Sequence, residues 1–232
     1  AKDYAEAKRL FEQVLASGDM KFAEESQARK AEIEYMDKDY ANALESFKRL
    51  RAIAENPDNR QAAKLGMMRC AVNINRTDEA LEAANDLLKD AKLSPELAIE
   101  ARYVRAKAYL EEGHGEKALA DLKAISEDTR TVQGAEAKYL LARLYFDQNK
   151  DKEAEAVLMN FIENGTPHQY WLARGFILLA DIYIRQGDNF QARQYLVSLR
   201  NNYSGDDEIA SMIEERLAKI QTNKNEGNEN SI

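Results

Sequence analysis

The chain has 232 residues, including three prolines and ten glycines, and carries a formal charge of −8. This acidic balance argues against nucleic acid as a partner, because phosphate binding needs a basic stripe. No run approaches the roughly 18 apolar residues of a membrane span, and the single cysteine, Cys70, excludes an intramolecular disulfide. Scarce proline and glycine favour helix, and no alternating apolar and polar run indicates a strand.

In chain order, apolar residues at helical spacing predict one unpaired helix, five helix pairs and a final helix. The unpaired helix covers about residues 3–17 and the final helix about residues 206–221. The pairs are predicted at about 21–36 with 40–55, 59–74 with 77–90, 95–112 with 115–127, 134–147 with 151–164, and 169–186 with 189–202. Residues 222–232 are polar, and we expect them to form a disordered tail after a repeat domain of residues 1–221.

An alanine in the unpaired helix, and in the second helix of each pair, returns at a near-constant interval. The alanines are Ala7, Ala43, Ala80, Ala118, Ala154 and Ala192, with intervals of 36, 37, 38, 36 and 38 residues. A period in this range indicates stacked helix pairs, since one pair cannot bury its apolar stripe alone. Because the chain begins inside a repeat and without a methionine, we expect a processed protein or a piece of a longer one.

Prolines and glycines mark the predicted helix boundaries. Pro57, Pro95 and Pro167 each follow a residue that can cap a helix, and we expect them in the first turn of the next helix. Gly113 and Gly187 are predicted to end helices, because glycine readily adopts the left-handed conformation found there.

Three helix pairs share a small residue, a tyrosine three residues later and an alanine twelve residues after the small residue. The sets are Ala106, Tyr109 and Ala118; Ala142, Tyr145 and Ala154; and Ala180, Tyr183 and Ala192. In this spacing the chain resembles the tetratricopeptide repeat family, whose repeat has about 34 residues. The resemblance covers about residues 1–203, although Glu34 and Ala71 stand where the family has tyrosine. It implies an all-α fold, a right-handed α-solenoid of antiparallel helix pairs with about five and a half repeats and a C-terminal capping helix.

The resemblance also places a binding groove on the first helix of each pair. The residues that it assigns to this groove are Arg69, Lys107, Arg143, Tyr103, Tyr139, Phe146 and Tyr35. Three cations flanked by aromatic rings favour an extended peptide with acidic side chains. In the alternative interpretation the cations pair with neighbouring acids, namely Glu100, Glu111, Glu136 and Asp147, as surface charges commonly do.

We therefore predict a non-catalytic protein–protein interaction module that binds an extended, acidic peptide or protein segment. The alternative is a structural or assembly segment that stacks on further repeats or self-associates through its N-terminal helix. That helix carries an apolar face, formed by Leu10, Phe11, Val14 and Leu15, with no helix predicted before it. A looser likeness to large bacterial envelope proteins built of such repeats favours a periplasmic or envelope location.

We find no motif for catalysis, for a cofactor or for a metal. His114 and His168 are the only histidines, and no cluster of cysteine and histidine has the spacing of metal ligands. Cys70 lies on an apolar helix face with Met67 and Met68, which indicates a buried thiol rather than a nucleophile. We expect neither an enzyme nor a cofactor-dependent protein.

Overall fold

A computed structural model of the protein describes residues 4–17 and 20–229. These residues form twelve α-helices and no strand, which confirms the predicted all-α repeat fold. The helices are α1 (Tyr4–Ser17), α2 (Met20–Met36), α3 (Tyr40–Ile53), α4 (Pro57–Asn73), α5 (Thr77–Leu87), α6 (Pro95–Glu111), α7 (Gly115–Ile125), α8 (Val132–Asp147), α9 (Asp151–Asn164), α10 (Gln169–Arg185), α11 (Asn189–Asn202) and α12 (Ile209–Glu229).

The predicted helix boundaries agree with the structure to within three residues, except at the end of α12. This helix continues to Glu229, whereas the apolar pattern predicted its end near Gln221. The apolar residues end there, but the next eight positions contain no proline, so nothing in the local sequence stops the helix. Residues 230–232 lie outside the described part, and a separate polar tail over 222–232 stays a prediction.

The chain divides into two compact units, residues 1–118 and 119–232, with the border inside α7. In the first unit each helix from α1 to α5 packs against the next one, and α2 also contacts α4. In the second unit α8 to α12 pack in the same sequential way, and α10 additionally contacts α8 and α12. Consecutive helix pairs therefore share their burial within each unit.

The recurring alanine marks the tightest packing of each pair. Ala43, Ala118, Ala154 and Ala192 are completely buried, and Ala80 is nearly so. Each is accompanied by larger buried side chains on the same helix face, such as Leu44, Phe47 and Leu50 in α3 and Leu158 and Phe161 in α9. A methyl group at this position lets the two helices of a pair approach closely.

The turn inside each pair has one recurring geometry. A residue in the left-handed conformation stands five positions before the buried alanine, and the five residues are Lys38, Asn75, Gly113, Asn149 and Gly187. The amide that follows it donates to the carbonyl five residues earlier, as in the bonds from Asp39 to Glu34 and from Asp188 to Tyr183, both 2.9 Å long. This is the Schellman motif. The turn and the alanine together set the period seen in the sequence.

Two of the three predicted proline starts are confirmed. Asn56 and Ser94 accept hydrogen bonds from the amides of Asp58 and Leu97, and Pro57 and Pro95 occupy the first turn. The third prediction is wrong, because α10 begins at Gln169 with His168 as its cap. The hydroxyl of Thr166 accepts from the amide of His168 at 3.1 Å and donates to the carbonyl of Thr129 at 2.7 Å, which ties the loop before α10 to the loop before α8.

Candidate protein-interaction surface

Three adjoining cavities lie along helices α2, α4 and α6 of the first unit. A cavity of about 190 Å³ and a second of about 220 Å³ share Tyr35 and Arg69 as lining residues. The second shares Val72 and Val104 with a third cavity, of about 270 Å³. Because neighbouring cavities share walls, we treat them as one surface and call it the α2–α4–α6 groove.

Apolar side chains dominate the open part of this groove. Met36 is 61% exposed and Val72 is 46% exposed, while Tyr35, Leu65 and Val104 are half-buried. Gly66 lets the ring of Phe47 reach the floor of the first cavity, since a Cβ at position 66 would lie 2.5 Å from that ring. Exposed apolar residues that lie together are typical of interaction surfaces.

Arg69 lies in the groove as half of an ion pair. Its Nε and Nη2 donate to the two carboxylate oxygens of Glu100, each at 2.7 Å. This bidentate geometry is the strong form of an arginine–carboxylate contact. The hydrogen bond to Glu100 raises the pKa of the Arg69 guanidinium. Arg69 therefore pairs with a neighbouring acid, as the alternative interpretation of the sequence expects.

Tyr35, Tyr103 and Lys107 also line the groove. The Tyr35 ring packs edge-on against Tyr40, with 5.4 Å between ring centroids, and burial raises the pKa of its hydroxyl. Tyr103 and Lys107 lie together in the third cavity. The whole groove is lined by three acidic side chains and three basic ones. The acids are Glu32, Glu100 and Glu111, and the bases are Arg69, Arg76 and Lys107. The groove is therefore close to neutral rather than cationic.

Arg143 and Phe146 belong to α8 in the second unit. The Arg143 Nε donates to both oxygens of Asp147, at 2.9 and 3.0 Å, and this hydrogen bond raises the pKa of the guanidinium. The guanidinium carbon lies 5.8 Å from the centroid of the Phe146 ring, while Arg185 stacks on that ring at 3.5 Å. Arg185 also pairs with Asp151, so it joins α10 to α8 and α9.

Tyr139 is buried rather than exposed in a groove, with only 6% of its surface accessible. Its hydroxyl accepts a hydrogen bond of 3.0 Å from Nη2 of Arg174, whose guanidinium carbon lies 5.0 Å from the ring centroid. Arg174 also donates from Nη1 to the hydroxyl of Tyr170 at 2.8 Å. Trp171 packs against both tyrosine rings, at 5.7 and 5.0 Å.

Sequence reasoning missed Arg174 as a member of this cluster. Two of its partners could have been found, because Tyr170 lies one helical turn earlier and Tyr139 lies 35 residues earlier, close to one repeat. Of the residues that the resemblance assigned to one groove, the first unit contains Tyr35, Arg69, Tyr103 and Lys107, and the second contains Tyr139, Arg143 and Phe146.

Cys70 is completely buried, and burial raises the pKa of its thiol to about 12, so the thiolate is not accessible as a nucleophile. Within residues 4–17 and 20–229, no three His, Cys, Asp or Glu side chains are arranged to hold a metal ion. Over the same residues, every helix falls short of the length and apolar character needed to cross a membrane.

Sequence models described as tetratricopeptide repeat match residues 1–63 with 103–159, residues 34–98 and residues 176–206. The chain belongs to the tetratricopeptide repeat family. Repeats of this family generally mediate protein–protein interaction, and its members are generally non-catalytic scaffolds. No curated protein sequence matches this tetratricopeptide repeat protein significantly.

Several solved structures share the fold of this tetratricopeptide repeat protein. YrrB, described as a TPR protein with an unusual peptide-binding site, has a TM-score of 0.65 at 14% identity, over 88% of this chain and 97% of its own. MamA has a TM-score of 0.62 at 16% identity, over 78% and 91%. BtubC from P. vanneervenii has a TM-score of 0.56 at 16% identity, over 89% and 94%. Identities this low show the fold alone.

Proposed function

We propose that this tetratricopeptide repeat protein is a non-catalytic interaction module that binds an extended peptide segment in the α2–α4–α6 groove. The observation that carries the proposal is that three adjoining cavities lie along these helices, with Met36 and Val72 exposed in their lining. A structural neighbour, YrrB, has a peptide-binding site, which supports the same use of the fold here.

The magnitudes favour apolar contacts as the main source of affinity. An exposed ion pair contributes about 0.2–1 kcal/mol, whereas micromolar binding needs about 8 kcal/mol. Arg69 is already paired with Glu100, so a ligand carboxylate would have to compete with an internal one. We therefore expect acidic side chains of the peptide, which Lys107 and Arg69 would attract, to add selectivity to binding that rests on apolar contacts.

A peptide selection followed by a pair of matched variants tests the groove. Peptides enriched from a random library on the purified protein are labelled, and their binding is measured by fluorescence anisotropy. Val72→Arg places a charge in the groove, whereas Ile53→Arg makes the same change at an exposed apolar residue of α3 that does not line the groove. We expect Val72→Arg to weaken binding by about tenfold or more and Ile53→Arg to leave it unchanged.

Circular dichroism of both variants checks that the helices remain intact. If the selected peptides bind Val72→Arg as tightly as the unmodified protein, the α2–α4–α6 groove is not the binding site. If selection enriches no acidic residue, the preference for acidic peptides is discarded and the groove assignment remains.

A second candidate function is self-association through α1. Leu10 is exposed on this helix, and Phe22, near the start of α2, is exposed as well. Light scattering over a range of concentrations, with Leu10→Glu as the variant, tests this role. Assembly that the variant reduces supports it, and a monomer at every concentration contradicts it.

A further inference from the structure

One methionine stands at a helix position that is polar in the other repeats. The first helix of each pair ends two residues before the left-handed turn residue, and the five residues at this position are Met36, Asn73, Glu111, Asp147 and Arg185. Met36 is the apolar member of this set. Its counterparts make polar contacts, such as the ion pairs of Asp147 with Arg143 and of Arg185 with Asp151. Met36 therefore departs from the pattern of its register.

Met36 is also the most exposed of the methionine side chains that the structure describes. It is 61% exposed, whereas Met159 and Met212 are half-buried, and Met67 and Met68 are buried. The Met36 side chain lines the first cavity of the α2–α4–α6 groove. Solvent therefore reaches this thioether inside the groove.

A thioether that solvent reaches can be oxidised by a hydroperoxide. The sulfur attacks one peroxide oxygen, so that an S–O bond forms while the O–O bond breaks. The sulfur is oxidised by two electrons to the sulfoxide, and the hydroperoxide is reduced to an alcohol, or to water if it is hydrogen peroxide. The thiol of Cys70 does not compete for the oxidant, because it is completely buried.

Formation of the sulfoxide changes the wall of the first cavity. Tyr35 and Leu65 line this cavity together with Met36, and the ring of Phe47 reaches its floor. The sulfoxide replaces a flexible apolar side chain by a polar one. An apolar group of a ligand packed against position 36 would then have to cover an oxygen that it cannot hydrogen-bond. Oxidation of Met36 should therefore lower the affinity of the groove.

We propose that Met36 is a modification site at which a hydroperoxide forms the sulfoxide and thereby weakens peptide binding in the α2–α4–α6 groove. Reduction of the sulfoxide restores the thioether, so the modification is reversible. This inference rests on the proposed function, because it names a regulation of the same groove.

Mass mapping after graded treatment with hydrogen peroxide tests whether Met36 reacts before the other described methionines. We expect Met36 to gain one oxygen first, Met159 and Met212 to follow, and Met67 and Met68 to react last. Circular dichroism of the treated protein checks that the helices remain intact. Oxidation of Met159 or Met212 ahead of Met36 would overturn the inference.

Binding measurements then test the consequence. Library-selected peptides without methionine or cysteine are titrated by fluorescence anisotropy against the protein before and after peroxide treatment. We expect oxidation to weaken binding by about tenfold, since the sulfoxide removes most of the apolar contact of one side chain. Treatment with methionine sulfoxide reductases for both epimers should restore the affinity.

Matched variants assign the effect to one sulfur atom. Met36→Leu keeps an apolar side chain of similar volume, so it should bind the peptides normally and lose its sensitivity to peroxide. Met212→Leu makes the same change outside the groove and should stay as sensitive as the unmodified protein. Met36→Gln places a polar side chain at the position and should weaken binding by about tenfold without any oxidant.

The outcomes separate this inference from the proposed function. If Val72→Arg weakens binding while peroxide treatment and Met36→Gln do not, the groove stands and this inference falls. If peroxide weakens the binding of Met36→Leu as much as that of the unmodified protein, another residue is responsible and the inference falls as well. If the peptides ignore Val72→Arg, Met36→Gln and peroxide alike, the groove itself is not the binding site.

Discussion

Arg216 of α12 binds Asp181 of α10 through two hydrogen bonds, 2.6 Å from Nε to Oδ1 and 2.8 Å from Nη2 to Oδ2. The two side chains are only 18% and 22% exposed. The pair lies beside the apolar face of α12, where Ile209, Ile213 and Leu217 are buried. It fixes the register of the last helix on α10.

Replacing Arg216 should therefore destabilise the attachment of α12. Arg216→Met keeps the apolar stem but leaves Asp181 without its partner. We expect the free energy of unfolding to fall by about 1–3 kcal/mol, between the values for exposed and for buried pairs. Urea denaturation measures it. Arg200→Met is the control, because Arg200 pairs with Glu214 on the exposed surface of α11 and α12. Equal losses in the two variants would contradict this role.

Substitutions at the turn residues with left-handed conformation should change the stability of the protein in opposite directions. Lys38 adopts a φ of 61°, which strains a side chain with a Cβ, whereas Gly113 at 75° occupies the equivalent position without strain. Lys38→Gly should stabilise the protein and Gly113→Ala should destabilise it, each by about 1 kcal/mol. Asn75→Gly should have a smaller effect, since asparagine tolerates this conformation. Thermal unfolding provides the measurement, and a lower midpoint for Lys38→Gly would refute the expectation.

The stability of the protein should depend strongly on the size of the side chain at the position of the recurring alanine. Ala43 is completely buried in α3, and Ala41 on the same helix is exposed. Ala43→Leu overpacks the interface and should lower the free energy of unfolding by about 1–3 kcal/mol, whereas Ala41→Leu should change it by less than about 0.5 kcal/mol. Urea denaturation compares the two. Similar values would mean that the alanine period does not reflect close helix packing.

The stability that the Glu24 carboxylate contributes should depend on pH. Asn59 donates to it at 2.7 Å, and the amides of Glu55 and Asn56 donate at 3.0 and 3.2 Å. The hydrogen bond from Asn59, with those from the two amides, lowers the pKa of this carboxyl below its usual 4.5. Its contribution to stability is therefore complete above the unfolded pKa and is lost as the pH falls through the lower folded pKa.

Glu24→Gln should accordingly lose about 1 kcal/mol at neutral pH and little in acid, measured by urea denaturation at several pH values. Glu25→Gln, at an exposed neighbouring position, serves as the control. A difference from the unmodified protein that does not shrink in acid would show that the carboxylate charge is not the stabilising element.

Most of the fold follows from local sequence. The alanine period, the apolar stripes and the proline positions locate the helices because each acts within one turn or one helix pair. The end of α12 was not predicted, since the apolar pattern ends near Gln221 while the helical backbone continues to Glu229. At Thr166 the hydroxyl accepts locally from the amide of His168 and also donates to the carbonyl of Thr129, 37 residues away, a contact that local sequence does not predict.

The site was predicted less well, for a physical reason. The register identified Arg69 and Arg143 as groove cations, and Glu100 and Asp147 were named as their alternative partners. Tyr139 was expected to flank the groove, yet a contact from the next repeat, made by Arg174, buries it. Contacts between repeats depend on which side chains meet across two helices, and a single sequence does not reveal those pairs.

The Schellman turns have an implication for how such chains change over evolutionary time. Each turn is formed by about six consecutive residues. The turn within a helix pair therefore does not depend on residues elsewhere in the chain. A DNA segment encoding one pair could be duplicated, deleted or exchanged between genes without disturbing the bend of any other pair. Growth of the array in whole modules is thus built into its geometry.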